Sequence, residues 1–252
     1  MERGLILLAA AALMVYVAPG VQGTFHLSFA NNTEVNITRD GCGMSKLCVE
    51  TPDNCDPSTS KTCSFASLTA TTPVAPDGTN VSCELSGSSS GYMALGLTAN
   101  ASEGTTMLFI CAQNSSNNGS FFFRTMQRNN TDGALTPTER ITREIRGTVN
   151  GSVIMCEFDI PNVNASMMRN TAATTFMVLV GNGTFDGTML GPFNTLVNSG
   201  SVNIADPLAN VANTTTTTMA PGNATTASGC NINPNAMLLF LSIFTLPAML
   251  RA

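Results

Sequence analysis

From Val81 onward the chain alternates strictly, with Val81, Cys83 and Leu85 apolar and Ser82, Glu84 and Ser86 polar. A period of two is the mark of a half-buried strand. Residues 87–91, rich in Gly and Ser, read as a turn. Residues 92–98 then read as a strand buried through its middle, with Gly96 permitting close backbone approach. After a loop over residues 99–105 comes an apolar strand over 107–112, ending near Cys111. Three strands joined by short turns are expected to form a β-meander. Phe121, Phe122 and Phe123 with Met126 mark a further strand, and Asp132-Gly133 in the polar stretch 129–137 is a hairpin-type turn signal. In residues 149–160, Ile154, Cys156, Phe158 and Ile160 share the expected core face. Val153, Met155, Glu157 and Asp159 take the other. Residues 176–180 form a continuous apolar run, and glycine-rich loops follow to Gly191 and Pro192. No helical period is sustained between these runs, so the expected class is an all-β sandwich.

The ends break this pattern. Residues 1–23 combine Arg3, a short apolar run and small residues at the end, and so read as a signal peptide with Thr24 as the mature start. The run is shorter than the roughly 20 apolar residues of a membrane span. Residues 24–202 are the expected sandwich ectodomain. Residues 203–228, rich in Thr with Pro and Gly, have the composition of an O-glycosylated stalk. Residues 229–252 end in an apolar tail behind small residues, the arrangement of a GPI-attachment signal. Ser228 is one candidate attachment residue, and Asn223 gives a better spacer length. A plain tail anchor is the alternative, but Ser242, Thr245 and Pro247 make the tail a poor span.

Composition suits the secretory route. Asn-x-Ser/Thr sequons stand at Asn31, Asn36, Asn80, Asn100, Asn114, Asn118, Asn129, Asn150, Asn164, Asn182, Asn213 and Asn223. Only 11% of the residues are charged, so glycan rather than charge is expected to keep the surface solvated. The net charge of −5 argues against nucleic acid and anionic lipid headgroups as partners. Arg140, Arg143 and Arg146, three apart, suit a solvated edge or a site for an anion such as sialic acid or phosphate. The first four of eight cysteines are separated by five, six and seven residues, without a C-x-x-C pair. Zinc and thioredoxin-type chemistry are therefore poor readings.

The order E-L-S-G, G-Y-M-A-L-G-L, short loop, apolar strand ending in Cys resembles a DOMON domain. Upstream, D-G-C-G-M-S-K-L-C-V-E-T-P-D-N-C-D with a following C-S-F resembles the cysteine-rich lead-in of the ferric-chelate reductase 1 group. Downstream, V-I-M-C-E-F-D-I-P resembles a later strand of that group. The resemblance runs from Asp40 to Val202 and implies an Ig-like/DOMON β-sandwich behind a cysteine-rich N-terminal lead-in. It matches Cys42, Cys48, Cys55, Cys63, Cys111 and Cys156 to the family's positions. Six cysteines make three disulfides, with fifteen connectivities open. Cys83 stands where the family usually has an aromatic. It reads as a small buried hydrophobe with an inert thiol, a reactive thiol being the alternative.

The resemblance also implies a cofactor question, because cytochrome members hold haem iron between a Met and a His. The Met position falls at Glu103, followed by Gly104, with Thr106 and Met107 in place of an acidic pair. The His is expected near residues 176–188, where this chain has none. The one histidine, His26, precedes the first cysteine and reads as part of the leading segment. Met107, Met126, Met155, Met167, Met168, Met177 and Met189 leave bis-Met ligation open, against a packing role. The expectation is a DOMON fold without a cofactor or bound metal. Haem b is the alternative, with Met107 and Glu103 as its candidate residues.

Other chemistry has little support. The lone His26 is badly placed as a base, and there is no H-E-x-x-H or Gly-rich phosphate loop. Glu84, Glu157 and Asp159 are expected on outward, solvated strand faces. The expected function is a non-catalytic module on the extracellular face of the cell membrane, partnered by the membrane through its lipid anchor. Its other partner is a protein, a glycan or a small apolar ligand, and not nucleic acid. The alternative is a haem-binding redox accessory domain.

Overall fold

The apolar faces sort into two sheets in a computed structural model, which describes residues 26–30, 32–71, 79–114, 120–163 and 175–210. The expected signal peptide, most of the expected stalk and the expected GPI-attachment signal lie outside the described residues. Twelve strands are described: β1 (His26–Ala30), β2 (Leu47–Thr51), β3 (Ser64–Ala70), β4 (Thr79–Ser88), β5 (Tyr92–Thr98) and β6 (Thr105–Asn114) come first. β7 (Ser120–Asn129), β8 (Leu135–Pro137), β9 (Arg143–Asn150), β10 (Val153–Val163), β11 (Thr175–Gly183) and β12 (Asn194–Asn203) follow, and a one-turn helix, Pro207–Asn210, comes after them. One antiparallel sheet has the order β1-β7-β6-β5-β11-β12, with β8 paired to β7. The other has the order β2-β3-β4-β10-β9. Packed face to face, they make the all-β sandwich that the alternation predicts.

The expected meander of β4, β5 and β6 is not what forms. β5 pairs with β6 and β11, whereas β4 pairs with β3 and β10 in the opposite sheet. Residues 87–91 are therefore an arch between sheets. Two glycines sit where the crossing is tight. A Cβ on Gly91 would lie 2.4 Å from the Gly183 carbonyl oxygen and 2.5 Å from the Phe185 nitrogen, so only glycine lets the start of β5 dock against the end of β11. A Cβ on Gly87 would lie 2.3 Å from Met93 Cε on β5, the mobile end of a side chain, so the space here is tight but less strict.

The inner faces form one core. Val81, Cys83 and Leu85 of β4 and Ile154, Cys156, Phe158 and Ile160 of β10 meet Met93, Leu95, Phe109, Cys111, Phe121 and Phe123 from the facing sheet. The expected core face of β10 is the buried one, alternating with half-covered residues along its length. Each large side chain buried here contributes about 1.5–3 kcal/mol. Cys111 on β6 is bridged to Cys156 on β10, so a covalent bond crosses the core between the sheets. Ile204 continues the core beyond β12.

The lead-in covers the outer face of the smaller sheet. Val35 and Ile37 pack with Cys63 and Phe65, and Cys42, Cys48, Cys55 and Met155 join the same cluster. Bridges Cys42–Cys48 and Cys55–Cys63 tie this segment locally. Thr33 N–H donates to the Gly147 carbonyl at 2.8 Å and docks the segment on β9.

Candidate functional site

The loop between β5 and β6, where the resemblance places a haem-ligating Met, is built around one side chain that the sequence did not single out. Asn130, just past β7, is 8% exposed. Its Nδ2 donates to the carbonyls of Asn100 (2.7 Å) and Glu103 (3.0 Å) and approaches Thr98 Oγ1 at 3.2 Å. Its Oδ1 accepts from Thr106 Oγ1 at 2.6 Å and Arg128 Nη1 at 3.3 Å, and its backbone N–H donates to the Gly104 carbonyl at 2.9 Å. Three carbonyls of the loop are thus held by one asparagine, as buried polar groups require. In the sequence Asn130 sits among turn-forming residues, and nothing there separates a buried hub from an ordinary turn asparagine.

Glu103 is exposed on this loop, held through its main chain. Met107 lies in β6 in register with Leu97 and Gln127, half-buried against the inner core. The two candidate haem residues are therefore not brought together. Met126 belongs to the apolar cluster on the outer face of the larger sheet, Met155 lies under the lead-in, and Met189 is exposed. Met167 and Met168 lie outside the described residues. His26 is the first residue of β1, in register with Arg124 of β7. The 176–188 region, where the resemblance expects the histidine, runs through β11 into a loop that packs onto the larger sheet. Phe185 stacks on Phe122 with centroids 5.1 Å apart, and Tyr92 Oη donates to the Gly191 carbonyl at 3.0 Å. Burial pushes the Tyr92 phenol well above its ordinary pKa. A hard, exposed carboxylate at 103 and thioethers turned into separate layers do not fit a two-ligand haem centre.

Beside the same loop runs an open groove of about 450 Å³, lined by Gly104, Thr105, Gln127, Asn129, Thr131, Ala134 and Thr136. Its volume lies within the range of roughly 300–1,000 Å³ typical of small-molecule sites. None of its lining residues carries a charge, so it offers hydroxyls, amides and small flat surfaces rather than an ion site.

Two of the three carboxylates expected on solvated faces, Glu84 and Glu157, are instead ion-paired. Lys46 Nζ donates to Glu84 Oε2 and to the Thr38 carbonyl, each at 2.8 Å, and Ser67 Oγ also donates to Glu84. The lead-in covers this face, and Lys46 is itself buried. Arg146 Nη2 reaches Glu157 Oε2 at 2.6 Å, and Arg143 stands in register with Asp159. Arg143 and Arg146 lie on β9, an edge strand, as one reading of the arginine spacing expects. Arg140 Nη2 donates to the Pro161 and Asn162 carbonyls at 2.8 and 3.0 Å, and burial lowers its pKa. The three arginines do not converge on one anion site. Among the described residues no group of three His, Cys, Asp or Glu is placed to hold a metal.

Cys83 is buried and stands outside the three disulfides. Burial, and then the charges of Asp159 and Glu84, push its thiol pKa up. Of the sequons, Asn36, Asn80, Asn100, Asn129 and Asn150 are exposed and Asn182 is half-buried. Asn114 ends β6, while Asn31, Asn118, Asn164, Asn213 and Asn223 lie outside the described residues. Among the described residues no helix is long and apolar enough to cross a membrane.

No family model matches the chain. No solved structure matches it. A zebrafish (Danio rerio) protein named "Putative ferric-chelate reductase 1" is 27% identical over 201 residues, which span 78% of this chain and 33% of that protein. The similarity is distant. It joins this chain to about a third of a much longer relative.

Proposed function

We propose that the chain is a glycosylated cell-surface module of the DOMON type that binds a protein, glycan or small apolar ligand without catalysis. In this reading it is held on the extracellular face of the membrane by a GPI anchor at Ser228 or Asn223. The observation that carries the non-cytochrome part is the placement of Glu103 and Met107. The first is an exposed hard donor and the second a half-buried thioether packed against the inner core, with no imidazole in the 176–188 region. Three disulfides and sequons on exposed turns support the secretory, glycosylated part. The distant similarity to a protein named for ferric-chelate reductase supports a second reading, a haem-binding accessory module.

The visible absorption spectrum of the full chain, purified from cells supplied with haem, separates the two. The non-catalytic reading expects no sharp reduced-state bands. Bands of a six-coordinate b-type centre that vanish in Met107→Ala or His26→Ala would establish the second reading instead.

A further inference from the structure

We propose that an N-glycan on Asn129 folds back into the groove beside the β5–β6 loop and occupies it, so that the groove is a seat for the protein's own carbohydrate. The proposal rests on the secretory, glycosylated reading above.

Asn129 is both a sequon asparagine, in Asn129-Asn130-Thr131, and a lining residue of the groove. Two backbone bonds and one side-chain bond hold it. Its N–H donates to the Ala134 carbonyl at 2.9 Å, its carbonyl accepts from Gly133 N–H at 2.8 Å, and its Oδ1 accepts from Thr131 N–H at 3.0 Å. With Oδ1 held in this Asx-turn, the orientation of the amide is set. Nδ2, the atom through which an N-glycan is joined, is the end left for attachment. The first sugar therefore starts at the groove wall in a defined direction.

The lining chemistry suits what would lie there. Thr105 stands in register with Asn129, and Thr136 with Gln127, which places hydroxyl and amide groups in two adjacent rows. Gly104 and Ala134 offer small apolar surfaces between them. Pyranose rings present C–H faces and equatorial hydroxyls, and this uncharged mixture matches both. A tethered glycan also loses less freedom on docking than a free ligand, because its attachment has already confined it. Asn150 supplies the contrast. It is exposed at the β9–β10 turn and does not line the groove.

The test uses the full chain secreted by mammalian cells, with glycan occupancy mapped site by site by mass spectrometry. Peptide N-glycosidase release is then timed at Asn129 and Asn150. On the folded protein, release at Asn129 is expected to be at least about tenfold slower, with equal rates after denaturation. Enzymatic removal of the Asn129 glycan should speed amide hydrogen exchange at residues 104–106 and 134–136. Thr131→Ala, which abolishes the sequon but keeps Asn129 and its Asx-turn, should lower the melting temperature by about 2–4 °C, whereas Asn150→Gln leaves it unchanged. If Thr131→Ala is not secreted, the native release rates on the wild-type protein decide the question. Equal native release rates with unchanged exchange would overturn the seat alone. So would an empty Asn129 while other sequons are filled. Absence of glycan at every sequon would overturn the secretory reading as well.

Discussion

Phe109 and Phe158 stack across the sandwich with centroids 5.3 Å apart, and each lies two residues along its strand from one end of the Cys111–Cys156 bridge. A covalent and an aromatic cross-tie thus stand side by side on the same inner faces, with Phe123 completing the group at 5.1 Å from Phe158. The bridge closes a span of 45 residues, which the chain-entropy account values at roughly 4 kcal/mol. The double variant Cys111→Ala/Cys156→Ala should lose about 2–5 kcal/mol in urea unfolding. Phe158→Ala should lose about 3–5 kcal/mol with all three bridges intact.

Asn130 makes a sharper local prediction. Asn130→Ala leaves the Asn100 and Glu103 carbonyls without their side-chain donor and Thr106 Oγ1 without its acceptor, while the backbone bond to the Gly104 carbonyl is kept. An orphaned buried polar group costs about 1–3 kcal/mol. Hydrogen exchange at residues 100–106 should accelerate well before exchange in β10 changes.

Cys83 predicts a pH dependence. A thiol whose pKa is raised by folding binds its proton more tightly in the native state, so stability is full below the ordinary thiol pKa of 9.0 and falls as pH rises above it. Tyr92, also pushed up by burial, adds to the fall above its ordinary value of 10.0. Cys83→Ala should flatten the first part of this decline in denaturant titrations between pH 8 and 10. In the native protein the Cys83 thiol should resist a disulfide reagent, and react once denaturant is added without reductant.

The anchor is tested on cells. Phosphatidylinositol-specific phospholipase should release the surface protein into the medium. Retention, with a protease-sensitive cytoplasmic remnant, would indicate a tail anchor.

Much of the sandwich was legible because its core strands bury one face only. The alternation at Val81–Cys83–Leu85 and through Ile154–Cys156–Phe158–Ile160 carries a period that survives into the structure. The arch at 87–91 was not legible, since a short Gly/Ser turn reads alike whether its strands pair or part. β12 was missed because Asn194–Asn203 is an edge strand with mostly exposed polar residues and little alternation. The ion-paired state of Glu84 was misjudged for a different reason. Strand alternation gives the face a residue occupies, but not whether a distant segment will cover that face. Asn130 escaped notice because its role depends on a loop some 30 residues earlier in the chain.

The order of the bridges bears on how the chain matures. Cys42 joins Cys48 and Cys55 joins Cys63, each with its next neighbour, before the long closure of Cys111 with Cys156. A polypeptide threaded into an oxidising lumen from its N-terminal end meets these partners in that same sequence. Oxidation can therefore proceed vectorially, with no early bridge that must be reopened before the last one forms. The one cysteine that emerges in between, Cys83, stays unpaired, and its burial waits on the later strands that pack against β4.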